Sequence, residues 1–202
     1  MHRGNRSFLA ALLLSASFLF VLGADADSAD AIDSFEPINV NIGDNPINIG
    51  REPHVTHIYK FWRENLNAHS YFLYLVTTGL PNEQEARPSA ANIVTFSKGQ
   101  EMSDGIAENP DAEPCPSFVR FFVSRKDGVK KLYVAQSATE IGENGATGKN
   151  TISFYHLVAN ESPGGPRYEF VEMTTVLVPQ EVCDVAQLDA GITQNRALWS
   201  AQ

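Results

Sequence analysis

Residues 117–125 and 129–137 are two apolar runs on either side of Lys126-Asp127-Gly128. Asp-Gly supplies the positive φ that a tight turn needs, so the pair reads as a β-hairpin. In the first run Phe118 and Phe122 share one face of a strand, and Phe121 shares the other with Val119 and Val123. Side chains alternate across a strand, so both faces must be covered, or one of them lines a cavity. A chain carrying such a hairpin must build a core around it.

A second hairpin pattern follows, residues 152–159 and 168–178, joined by a Gly- and Pro-rich loop at 160–166. Upstream, Tyr71-Phe72-Leu73-Tyr74-Leu75-Val76-Thr77 has the aromatic and aliphatic density of a central strand, and residues 92–96 read as a shorter one. Residues 38–50 alternate Ile and Val with Asn around a turn at Asp44-Asn45-Pro46. Residues 100–116 read as a long acidic loop. Between these, Val55, Ile58, Trp62 and Leu66 recur at i, i+3, i+7 and i+11 behind Pro53, which predicts an amphipathic helix over 53–67. Residues 180–190 predict a short helix closed by Gly191. The expected fold is mainly β (α+β): an antiparallel barrel or sandwich of six or seven strands, one N-terminal amphipathic helix and a short C-terminal helix.

Residues 1–26 divide like a secretory signal peptide: His2, Arg3 and Arg6, then an uncharged and largely apolar run from Ser7, then Ala24-Asp25-Ala26 with small residues at −3 and −1. The apolar run is shorter than a bilayer span, and acids follow it. The expected organisation is a signal peptide at 1–26, an extended lead-in at 27–52 and one β-rich domain at 53–202. The product is then secreted, with no membrane insertion after cleavage. Its two cysteines, Cys115 and Cys183, should pair in an oxidising compartment. Closing the loop between them would stabilise the fold by roughly 4 kcal/mol. Asn160-Glu161-Ser162 is a glycosylation sequon in a predicted loop, which makes Asn160 a candidate acceptor if the source is eukaryotic.

The formal charge of −9 leaves no net basic face for nucleic acid. Against that background Arg120, Arg125, Lys126, Lys130 and Lys131 crowd one hairpin. They read either as a solubility device or as a contact for an anionic partner, such as a sulfated glycan or an acidic protein surface. His54 and His57 would share a helix face but lack a third ligand, so no metal site is expected, and no cofactor motif is present. No nucleophile elbow or phosphate loop occurs either, which leaves no positive reason to propose an enzyme.

In layout, the roughly 176 residues after position 26, with many antiparallel strands and an aromatic interior, resemble lipocalin-like secreted proteins. The Gly-x-Trp of a typical lipocalin first strand is absent, since Trp62 falls in the helical pattern. The resemblance implies a carrier of a small amphipathic ligand, or a host-directed, immunomodulatory factor of the salivary type. The leading expectation is a secreted non-catalytic binding protein that takes a small apolar ligand in a cavity or a partner on an exposed face. A modulator binding an extracellular protein or anionic glycan through the hairpin at 120–131 is the alternative, and a secreted hydrolase with an unrecognised site is a third. Export makes one direct prediction: intact-mass measurement of the exported protein should find Asp27 at its amino terminus.

Overall fold

A computed structural model describes residues 35–50, 54–66, 70–79, 92–126, 129–141, 147–160 and 163–200. The expected signal peptide lies outside them. The first sheet has seven strands in the order β1 (Glu36–Pro37), β9 (Val119–Lys126), β10 (Val129–Ile141), β11 (Thr147–Ala159), β12 (Tyr168–Val178), β6 (Thr95–Lys98) and β7 (Glu101–Ser103). The second runs β2 (Gly43–Ile49), β3 (His54–Arg63), β4 (Tyr71–Thr78) and β5 (Asn92–Ile93), with β8 (Ile106–Glu108) also on β4. Neighbours pair antiparallel except β6 and β12, which are parallel. Two short helices, α1 (Val185–Gln194) and α2 (Arg196–Ser200), end the described chain.

This corrects the expected fold in two ways. The sheets do not close into a barrel. Residues 54–63 form a strand rather than a helix, paired with β2 on one side and β4 on the other. The helical spacing of Val55, Ile58 and Trp62 is outweighed by a run of β-branched and aromatic residues, Val55, Thr56, Ile58, Tyr59, Phe61 and Trp62, which favour a pleated surface. The expected turn at Asp44-Asn45-Pro46 is likewise strand, with Pro46 opposite His57 on an edge where its missing N–H is tolerated. The stretch 100–116 contains β7 and β8. The segment read as one strand at 92–96 divides at buried Val94, which puts β5 in one sheet and β6 in the other.

Both faces of the central hairpin are covered. Between the sheets, Val119, Phe121, Val123, Leu132 and Val134 pack against Ile58, Tyr74 and Val76. On the outer face, Phe122, Tyr133 and Phe154 pack under Leu188, Ile192 and Trp199 of the helices. Trp199 is fully buried, lies 5.1 Å from Phe122 and 5.6 Å from Tyr133 by ring centroids, and donates its Nε1–H to Ile192 O at 2.9 Å.

Four further features fix the helices. Arg120 meets Asp189 of α1 in a two-pronged pair, Nε to Oδ1 at 2.8 Å and Nη2 to Oδ2 at 2.9 Å. Gly191 was expected to close the helix but lies buried within it, where a Cβ would stand 2.5 Å from Ile152 Cδ1; its absence lets α1 approach the sheet. Ahead of α1, Cys183 is disulfide-bonded to Cys115, across 68 residues of sequence. Asp184 caps the helix by accepting Gln187 N at 2.7 Å.

Removing the Trp199 ring should leave a cavity between α2 and the sheet. Trp199→Ala is expected to cost about 3–5 kcal/mol of unfolding free energy in urea titrations. A loss under about 1 kcal/mol would mean that the helices do not share the cooperative core.

Candidate functional site

The outward positions of β3 are Val55, His57, Tyr59, Phe61 and Arg63, because Thr56 and Ile58 are buried on its other side. His57 and Tyr59 stack at 5.9 Å with planes 11° apart, and Tyr59 and Phe61 at 6.1 Å and 10°. The register sets Leu75 beside Tyr59, Leu73 beside Phe61, and Ile93 beside Thr77. Val55 and Phe61 are each 42% exposed and Ile93 is 50% exposed. Arg63 closes one end, donating from Nη1 to the Tyr71 hydroxyl at 2.7 Å with its guanidinium over that ring. His57 Nδ1 lies 2.8 Å from Asp44 Oδ1. The helices cover the outer face of the first sheet; among the described residues no helix covers this one.

The shared helix face read for His54 and His57 does not form, because both residues lie on strand β3.

The inner side of β3 is spent on structure. Lys60 lies over the rings of Phe72 and Tyr74, at 4.2 and 5.0 Å from their centroids, and 3.7 Å from Glu108. Glu108 also accepts from the Tyr74 hydroxyl at 2.7 Å and from Val119 N at 3.2 Å. Burial, and then the Glu108 carboxylate, push the Tyr74 hydroxyl far above the ordinary phenol range. Tyr155 is pushed up to about 12, by burial first and then by Glu172. Both tyrosines belong to the inter-sheet core.

The four described bases of the 120–131 hairpin fall into three settings. Arg120 is the anchor for α1, while Arg125 pairs with Glu36 at 2.9 Å, both half-exposed. Lys130 and Lys131 line a groove of about 190 Å³ with Ile49, Leu132, Leu157 and Tyr168. The Lys126 side chain lies outside the described residues. A second groove, of about 480 Å³, opens beside β7 and β8 over Phe96, Met102, Ile106 and Tyr155. Its polar side chains are largely engaged already: Lys98 with Glu172, Ser97 with Glu169, and Gln136 with Ala107 O. Asn160 follows β11, and its N–H donates to Arg167 O at 2.8 Å.

Sequence reasoning passed over the β3 face and both grooves. The alternation of Val55, His57, Tyr59 and Phe61 was the available signal for the face. No local signal points to the grooves, whose walls come from distant segments.

No family model matches the chain, and a search of curated proteins finds no similar sequence. The solved crystal structure of CarG is similar to it, with a TM-score of 0.57 at 14% identity, over 76% of this chain and 93% of CarG. At that identity the likeness concerns the fold alone.

His156 lies on the helix-facing side of β11, with Nδ1 buried and, among the described residues, without a hydrogen-bond partner. Burial, and then Lys131, lower its pKa. A histidine held neutral when folded but free to protonate when unfolded costs nothing above the ordinary histidine pKa of about 6.5. Below that value it removes stability, until the lower folded-state pKa is reached. The urea midpoint should therefore fall as pH drops from 7 to 5, and His156→Gln should flatten part of that fall. An unchanged slope would contradict the burial of this ring.

Proposed function

We propose that this chain is an exported, non-catalytic binding protein whose contact surface is the outward face of β3 and β4. The single observation that carries the reading is the His57–Tyr59–Phe61 ladder, left open beside Leu73, Leu75 and Ile93. Aromatic and arginine side chains are enriched where proteins meet, and here Tyr59, Phe61, Tyr71 and Arg63 stand together on rigid strands. The partner is a protein surface with an apolar centre. Because the chain is net acidic, a basic rim on that partner would favour encounter.

Export is supported by the tripartite pattern at residues 1–26 and by the Cys115–Cys183 disulfide, which suits an oxidising compartment. In a eukaryotic source, Asn160 would then be a glycan acceptor. The non-catalytic reading draws support from Tyr74, whose raised pKa comes first from burial in the inter-sheet core. A cavity of the barrel type is set aside, because the sheets stay open and their interior is filled by Ile58, Val76, Phe121 and Phe170.

A photo-reactive side chain at Phe61 of the exported protein should form one discrete protein adduct in its native medium. Tyr59→Asp should reduce that adduct at least tenfold, and the same label at Gln194 on the exposed side of α1 should form none. Equal labelling from both positions, or indifference to Tyr59→Asp, would overturn the reading.

A further inference from the structure

We infer that the groove beside Lys130 is a separate binding site for a small amphipathic anion: one carboxylate on a short alkyl or single-ring body. At this place the two sheets touch, through Gly50 N donating to Lys130 O at 2.9 Å. The groove between them holds about 190 Å³. Its walls are Ile49 from the second sheet and Leu132, Leu157 and Tyr168 from the first, all side chains that pack on the inter-sheet core.

Lys130 belongs to the same inward row of β10 as Leu132 and Val134. It is half-buried, and among the described residues its ammonium has neither an ion pair nor a hydrogen bond. Its position contrasts with that of its neighbours. Arg120 is matched by Asp189 and Arg125 by Glu36. The residue directly across the ladder from Lys130 is Arg125, a like charge. A partly desolvated cation on an apolar wall, with a positive neighbour, is costly until an anion meets it.

Two properties of the groove select the ligand. Lys130 calls for negative charge, which the protein as a whole, at −9, would otherwise repel. The apolar walls call for a hydrocarbon body, so a bare inorganic anion leaves most of the groove unfilled. Its volume lies below the roughly 300–1,000 Å³ of sites for drug-sized ligands, which limits that body to a short chain or one ring. This site shares no residue with the β3 face, so either assignment can fail without the other.

The test is calorimetric titration of the exported protein with octanoate, and with 1-octanol and acetate as probes lacking the charge or the tail. Octanoate should bind saturably, at least tenfold more tightly than either control, and its affinity should fall with added salt. Lys130→Met keeps the aliphatic stem and removes the charge. It should weaken octanoate at least tenfold, leave any 1-octanol binding unchanged and leave the thermal midpoint in place. Leu157→Asn should weaken octanoate while acetate stays unchanged. Binding of 1-octanol as tight as octanoate, full octanoate affinity in Lys130→Met, or no octanoate binding at all would each overturn the proposal.

Discussion

The fold depends on one constraint: the central sheet is apolar on both sides. Phe121 and Phe122 are adjacent in sequence and both almost wholly buried, so β9 must have a layer in front and a layer behind. The second sheet supplies one layer and the C-terminal helices the other. This explains why five residues of α2 matter despite their small number. Trp199 is the side chain that closes over Phe122 and Tyr133, and its N–H finds a backbone carbonyl rather than water. The disulfide and the Arg120–Asp189 pair act on the same helices from two directions.

Joining the two sheets required polar groups in the inter-sheet layer. Lys60, Tyr74 and Glu108 solve this together, since the carboxylate accepts from the phenol and from the Val119 amide while facing the ammonium. Each group alone would carry an unpaired desolvation cost; as a set they tie β3, β4 and β8 to β9. The chain path reinforces this link. At Val94 the backbone leaves the second sheet to lay β6 parallel to β12, then returns after β7 to place β8 on β4. Gly105 sits on that return, where a Cβ would come within 2.7 Å of Tyr74 O.

Much of this architecture was legible locally. The two hairpins at 117–137 and 152–178 carry strong strand propensity, and alternation in the first of them announced a two-faced core. The β3 segment misled because Val55, Ile58, Trp62 and Leu66 satisfy a helical period, although the β-branched and aromatic run that contains them favours a strand; propensity, not period, decides such a case. Pro46 misled in the same way, since an edge strand tolerates what a central one cannot. The division of 92–96 and the short strands β7 and β8 are products of long-range pairing, for which a two- or three-residue segment carries no local mark. The disulfide was legible because two cysteines offer a single pairing.

The basic hairpin shows why charge density along a sequence is a poor guide to a surface patch. Neighbouring residues of a strand point in opposite directions, so a cluster of cations in sequence is divided between two faces before any partner is considered. Arg120 goes to the helix side, where it finds Asp189, and Arg125 reaches the β1 edge and finds Glu36. The cations that matter for recognition are then those that folding leaves unmatched. A chain that pairs its arginines across such distances, yet holds Lys130 half-buried on an apolar wall opposite a like charge, leaves that lysine, among the described residues, as the unmatched cation to which the proposed anion would bind. The open aromatic face of β3 is the apolar counterpart of the same logic. Where the central sheet spends both faces on its own core, the second sheet spends one, and among the described residues no helix covers the other.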